Sequence, residues 1–155
     1  NVSAMIQGVS MSEGERETFL AEFEMKRESG LVGFCVLGGI FSEGIDLTED
    51  RLIGAIIVGT GLPQVCNERE ILKNYFDTKE ENGFSYAYLY PGMNKVQQAA
   101  GRVIRTEHDK GVIALLDERF LGKQYQETFP REWKDIEVCN LQTVQEKITC
   151  FYETK

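Results

Sequence analysis

The chain has 155 residues, 42% hydrophobic and 27% charged, which is the make-up of one globular domain able to bury its own core without disulfide or metal staples. Its 17 Lys and Arg against 25 Asp and Glu leave a net charge of −8, so a broadly basic nucleic-acid-binding surface is excluded and any such contact must be confined to a local cleft. No apolar run is long enough to cross a membrane, no secretory leader is legible, and the scattered Cys35, Cys66, Cys139 and Cys150 form no Cys-x-x-Cys pair from which a zinc or iron-sulfur site could be read.

The opening residues 2–9 read as a short strand whose predecessor is cut away, and Asn1 in place of an initiating methionine is what a piece of a longer chain would show. Ser10 or Ser12 with Glu15 offers a capping pattern, and Phe19, Leu20, Phe23 and Met25 then supply the apolar positions of a helix ending near Ser29-Gly30. Residues 33–38 read as a fully buried strand, since Phe34-Cys35-Val36-Leu37 is continuously apolar and runs into Gly38-Gly39. Cys35 is expected to pack there as a small hydrophobe.

Residues 52–58 and the aromatic-rich 84–90 read as two further core strands, and 68–75 between them as a helix with Ile71, Leu72 and Tyr75 on one side. After Pro91-Gly92, Asn94 is expected to cap a helix reaching about Arg105, and Asp109-Lys110-Gly111 hands over to an apolar strand starting at Val112. In the tail, residues 117–120 and 130–133 each read as a turn of helix, Trp133 as a packing anchor, and 141–151 as an amphipathic helix. His108, the single histidine, reads as a helix-end residue rather than a catalyst. Strand, helix, strand, helix, strand is the order of a parallel α/β sheet, with no repeat or linker to divide residues 1–155 into more than one unit.

Two stretches carry chemistry. Gln98-Ala99-Ala100-Gly101-Arg102-Val103-Ile104-Arg105 sets two arginines three apart, which on a helix projects both guanidiniums from one face. Paired planar forks that never lose their charge suit a polyphosphate. The second stretch, Gly38-Gly39-Ile40-Phe41-Ser42-Glu43-Gly44-Ile45-Asp46-Leu47, follows an expected parallel strand, and open α/β sheets place ligands at the carboxyl ends of such strands.

The first stretch resembles the sixth motif of superfamily 2 helicases, Gln-x-x-Gly-Arg-x-x-Arg, and the second resembles the fifth motif as written in the iron-sulfur branch typified by DinG. Gly59-Thr60-Gly61-Leu62-Pro63-Gln64 departs from the short Leu-Pro segment that lies near DNA in this family. The resemblance implies a RecA-like fold, a parallel sheet with helices on both faces, and the second motor domain of a helicase. The phosphate cradle and the Asp-Glu-x-His run that sit on the first motor domain are not found in this chain.

The roles that the resemblance implies fall on individual residues. Arg102 and Arg105 would be arginine fingers reaching ATP across the interdomain cleft. Gln98, Gly101, Gly44 and Asp46 would face the nucleotide, Gly38, Gly39 and Ser42 the phosphates of the tracked strand, and Glu43 an arginine. ATP and Mg2+ would be held mainly by the first RecA-like domain, with no iron-sulfur cluster and no metal in this part. The implied partners are single-stranded DNA and that first domain, in a monomeric cytoplasmic bacterial enzyme moving 5′ to 3′ and taking part in DNA repair or replication. The fragment alone would be inactive. The alternative is a non-catalytic nucleic-acid- or protein-binding module on the same fold.

Overall fold

The computed structural model describes residues 2–43, 52–104, 109–133 and 135–153. Gly44, Asp46, Arg105 and His108, on which sequence expectations fall, lie outside the described residues, and of the Ser42 and Glu43 side chains nothing is described.

Strand β1 (Val2–Ile6) pairs in parallel with β2 (Gly30–Phe34), Val2 opposite Gly30 and Ile6 opposite Phe34. The crossover is helix α1 (Glu13–Glu24), fixed at its start by a capping box: the Ser12 amide donates to Glu15 Oε2 at 2.8 Å and the Glu15 amide to Ser12 Oγ. Phe19 and Phe23 lie against Gly33, where an added Cβ would stand 2.8 Å from Phe23 Cζ. Phe19 also stacks on Phe41 of helix α2 (Ile40–Glu43), ring centroids 4.5 Å apart.

The second parallel pair joins β3 (Gly54–Val58) to β4 (Val112–Leu116), with α3 (Asn67–Asp77) and α4 (Tyr90–Ala100) between them in sequence. The core sits on this pair: Ile57, Leu89, Met93, Val96 and Ala100 pack with Phe120 and Tyr125, and Leu37, Ile113, Leu115, Phe129 and Trp133 close around them. Trp133 is the expected anchor, its ring 5.3 Å from that of Phe129. The architecture is α/β, with parallel strands flanked by helices. Alternate strand residues Ile6, Phe34, Ile56 and Val58 turn away from these helices and are exposed.

Three expectations are corrected. Residues 84–90 are not a strand: Ser85–Leu89 form a π-helical turn that runs straight into α4. Aromatics at every second position read as a strand, yet the same spacing contains the four-residue period of a helix. Phe84 stacks on Tyr88, Tyr86 meets Tyr90 edge-on, and α3 anchors the turn from the side. Arg69 donates to the Ala87 carbonyl at 2.6 Å and the Tyr88 hydroxyl to Glu70 at 2.5 Å, which with burial pushes the phenol up to about 12. Asn94 consequently lies inside α4, whose first turn carries Pro91, and caps nothing.

The strand expected over 33–38 ends instead at Phe34, because its ladder finishes there. The Gln7 amide takes the Phe34 carbonyl, the Gln7 side chain accepts from the Val36 amide at 2.9 Å, and the Gly39 amide turns back onto the Val36 carbonyl. Cys35 is therefore exposed rather than packed in a strand. Third, α4 ends at Ala100, before the paired arginines, so Arg102 does not project from a helix face.

In the tail the turn at 117–120 and the C-terminal helix follow expectation, while 130–133 form only a turn closed from the Trp133 amide to the Pro130 carbonyl, and residues 123–126 add a helix that the sequence reading does not contain. Asp117 caps a 3₁₀ turn (Glu118–Leu121), α5 (Lys123–Gln126) follows, and α6 (Val144–Glu153) is tied to the residue just before β3 by a 2.7 Å bond from the Tyr152 hydroxyl to the Ile53 carbonyl. No described helix is long and apolar enough to cross a membrane.

The Arg119 side chain and amide hold the Asp117 carboxyl at about 2, below its ordinary 3.8. A lowered carboxylate contributes stability above its unfolded value that disappears as pH falls from 3.8 toward 2. Because Arg119 is half exposed, Asp117→Asn is expected to remove only about 0.5 kcal/mol of acid-limb dependence, read from urea midpoints at successive pH values. Thr60 is 1% exposed and its hydroxyl has no hydrogen-bond partner among the described residues. Thr60→Val should leave stability unchanged or raise it by about 1 kcal/mol in urea unfolding; a loss of that size would contradict the orphaned hydroxyl.

Candidate functional site

The carboxyl ends of β2 and β3 meet the first two turns of α4, and the backbone there is shaped by glycine. All three glycines with positive φ among the described residues lie here: Gly38 (76°), Gly59 (83°) and Gly61 (64°). At Gly61 an added Cβ would stand 2.8 Å from the Gly92 carbonyl, and one at Gly92 would stand 2.8 Å from the Thr60 carbonyl. The loop after β3 thus sits backbone to backbone on the start of α4, and neither side tolerates a side chain.

The loop after β2 makes the corresponding contact one turn along. The turn from Val36 to Gly39 is closed by a 2.9 Å bond and braced by Gln7, and an added Cβ at Gly38 would fall 2.8 Å from Lys95 Cδ. Helix α2, which continues that loop and contains Ser42, packs against α4. The glycine stretch therefore lies on α4, the helix whose last turn opens the arginine stretch, with Lys95 rather than an arginine against Gly38.

At the far end of α4 the chain does not break off but tightens. The amides of Arg102 and Val103 bond three residues back, to the carbonyls of Ala99 and Ala100, while the Gly101 amide bonds Gln97 at 2.8 Å. Gly101 is exposed and adopts φ −65°, ψ −5°, a conformation open to any residue; its added Cβ would meet only backbone of its own turn. No element described here packs on it. Val103 is buried, which leaves Arg102 half-buried at the surface of the same turn.

Gln98, chosen in the sequence as the first position of the motif, is exposed. Its neighbour Gln97 is the glutamine used internally, donating from Nε2 to the Thr128 carbonyl at 2.6 Å and tying α4 to the segment after α5. Gln97, Gln7 and Lys95 escaped the sequence reading because their partners are distant in the chain. Only the doubled Gln97-Gln98 hinted that one glutamine faces in and the other out. Among the described residues no group of three His, Cys, Asp or Glu side chains is placed to hold a metal ion.

Residues 2–136 match the family described as helicase C-terminal domain. The chain is 34% identical over 121 residues, 71% of its length, to a protein of Oryza sativa named regulator of telomere elongation helicase 1 homolog. It is 32% identical over 123 residues to ATP-dependent DNA helicase DinG of Photobacterium profundum, covering 78% of the chain. It is also 32% identical over 136 residues to ATP-dependent DNA helicase CHL1 of Vanderwaltozyma polyspora, covering 79%. It spans only 12%, 17% and 16% of those three proteins.

The two glutamines should separate in experiment. Gln97→Ala is expected to cost about 1 kcal/mol in chemical unfolding, since it strands a half-buried carbonyl, whereas Gln98→Ala should change stability by less than about 0.5 kcal/mol. Equal losses from both would contradict the inward and outward assignment.

Proposed function

The chain belongs to the helicase C-terminal domain family, and from that premise we propose that it is the second RecA-like motor domain of a DinG-like ATP-dependent DNA helicase. The observation that carries this reading is the seating of the glycine loop and α2 directly on α4, so that a change at one stretch must be felt at the other. A motor needs that link, because the nucleotide state must alter the grip on the nucleic-acid strand.

In this reading ATP and Mg2+ are held by a first RecA-like domain supplied by the rest of the protein. Arg102 and Arg105 act as arginine fingers: guanidiniums delivered across the cleft neutralise charge that develops on the γ-phosphate as its bond to the β-phosphate breaks. They accelerate hydrolysis only when the two domains close. Arg102 suits the role because it follows the last helical turn rather than lying along the helix, so its side chain leaves from an end that Val103 pins to the core. Gln98 and Gly101, both exposed, face the nucleotide in this reading, and the motif gives Gly44 and Asp46 the same role.

In this reading Gly38, Gly39 and Ser42 belong to the track for single-stranded DNA. Translocation runs 5′ to 3′ in a monomeric cytoplasmic enzyme. This chain has no phosphate cradle in its sequence, so alone it hydrolyses no ATP.

DNA-stimulated ATP hydrolysis by the full-length protein tests the reading. Arg102→Ala and Arg105→Ala, each checked for folding by circular dichroism, are expected to lower the rate about a hundredfold or more. A folded variant that hydrolyses at the wild-type rate would remove the finger assignment and leave a binding module on the same fold as the better description.

A further inference from the structure

We propose that Lys95, laid across Gly38, is a phosphate-binding residue of this domain, a role that rests on the motor reading above. Its stem covers Gly38 in the loop after β2: an added Cβ there would stand 2.8 Å from Cδ, 3.0 Å from Cε and 3.3 Å from Cγ of Lys95. Gly38 adopts φ 76°, so both the conformation of the loop and the path of the lysine depend on glycine there.

Three further observations point to an anion. Lys95 is half-buried, yet no carboxylate partners it among the described residues, in a chain that carries a net charge of −8. A lysine that merely covers apolar surface would bring its head to open water. Second, it stands at the carboxyl ends of parallel strands, beside the rim built by Gly38, Gly59 and Gly61, the position where open α/β sheets receive ligands. Third, Lys95 and Gln98 lie three residues apart on α4, so the lysine stands on the same side of the helix as the exposed Gln98. The bound group is a phosphate, of the nucleic-acid strand or of the nucleotide; both present the same oxygens to an ammonium.

The full-length protein distinguishes these sources with Lys95→Gln and Lys95→Arg, using an oligothymidylate of about 20 nucleotides and ATP as probes. If the phosphate belongs to DNA, Lys95→Gln flattens the dependence of log affinity on log salt by about 0.7 and Lys95→Arg restores it. If it belongs to the nucleotide, the salt slope is unchanged and the KM for ATP rises about tenfold in Lys95→Gln but not in Lys95→Arg. Gly38→Ala, which displaces the lysine stem, should reproduce whichever loss is seen. Wild-type slope and wild-type KM in a folded Lys95→Gln overturn the proposal while leaving the motor reading intact. Wild-type protein that neither binds the oligonucleotide nor hydrolyses ATP overturns both.

Discussion

The close backbone contact between the Gly59-Thr60-Gly61 loop and Gly92 fixes where α4 begins, and most of what matters in this domain follows from it. With 2.8 Å separating a would-be Cβ from a facing carbonyl on either side, helix and loop cannot slide without steric overlap. That seat sets the rotation of α4, which turns Met93, Val96 and Ala100 onto Ile57 and the tail aromatics. The same rotation brings Lys95 over Gly38. Burial of these side chains supplies the favourable free energy, and the glycine contacts supply the register.

Each face of α4 therefore has a distinct occupation. Its buried stripe rests on β3 and β4, its flank takes α2 and the loop after β2, and Gln97 ties it to the Thr128 carbonyl. Gln98 and Gly101 remain exposed, with Arg102 half-buried beside them. Rigid support beneath and an open surface above is what a group working across a cleft requires, because a finger that moved freely would give up its orientation on reaching the phosphate. Five acidic residues fall on α1 and three more between Asp77 and Glu81, outside the two motif stretches.

The aromatic π turn shows how tertiary contacts choose between two local readings. Residues 84–90 satisfy a strand and a helix about equally on spacing, since aromatics two apart are also aromatics four apart. Hydrogen bonds from Arg69 to the Ala87 carbonyl and from Tyr88 to Glu70, with Phe76 stacked on Tyr86, favour the helix by tying the turn to α3. The widened turn lets the chain run into α4 without a break, so Pro91 falls in the first turn, where its missing amide costs nothing.

Sequence by itself determined the features that are local in the chain. The Ser12 and Glu15 capping box, the apolar strands around Ile57 and Ile113, the 3₁₀ turn capped by Asp117, the anchoring of Trp133, and the two motifs that place the chain in its family all depend on residues a few positions apart, and a few positions are legible. The tertiary structure decided what depends on distant partners: that β2 stops at Phe34 because Gln7 takes its last bonds, that 84–90 is helical because α3 lies alongside, that α4 stops at Ala100, and that Lys95 covers Gly38. Periodicity reports which faces of an element can be buried. It carries no information about which element arrives to bury them, and that choice belongs to packing.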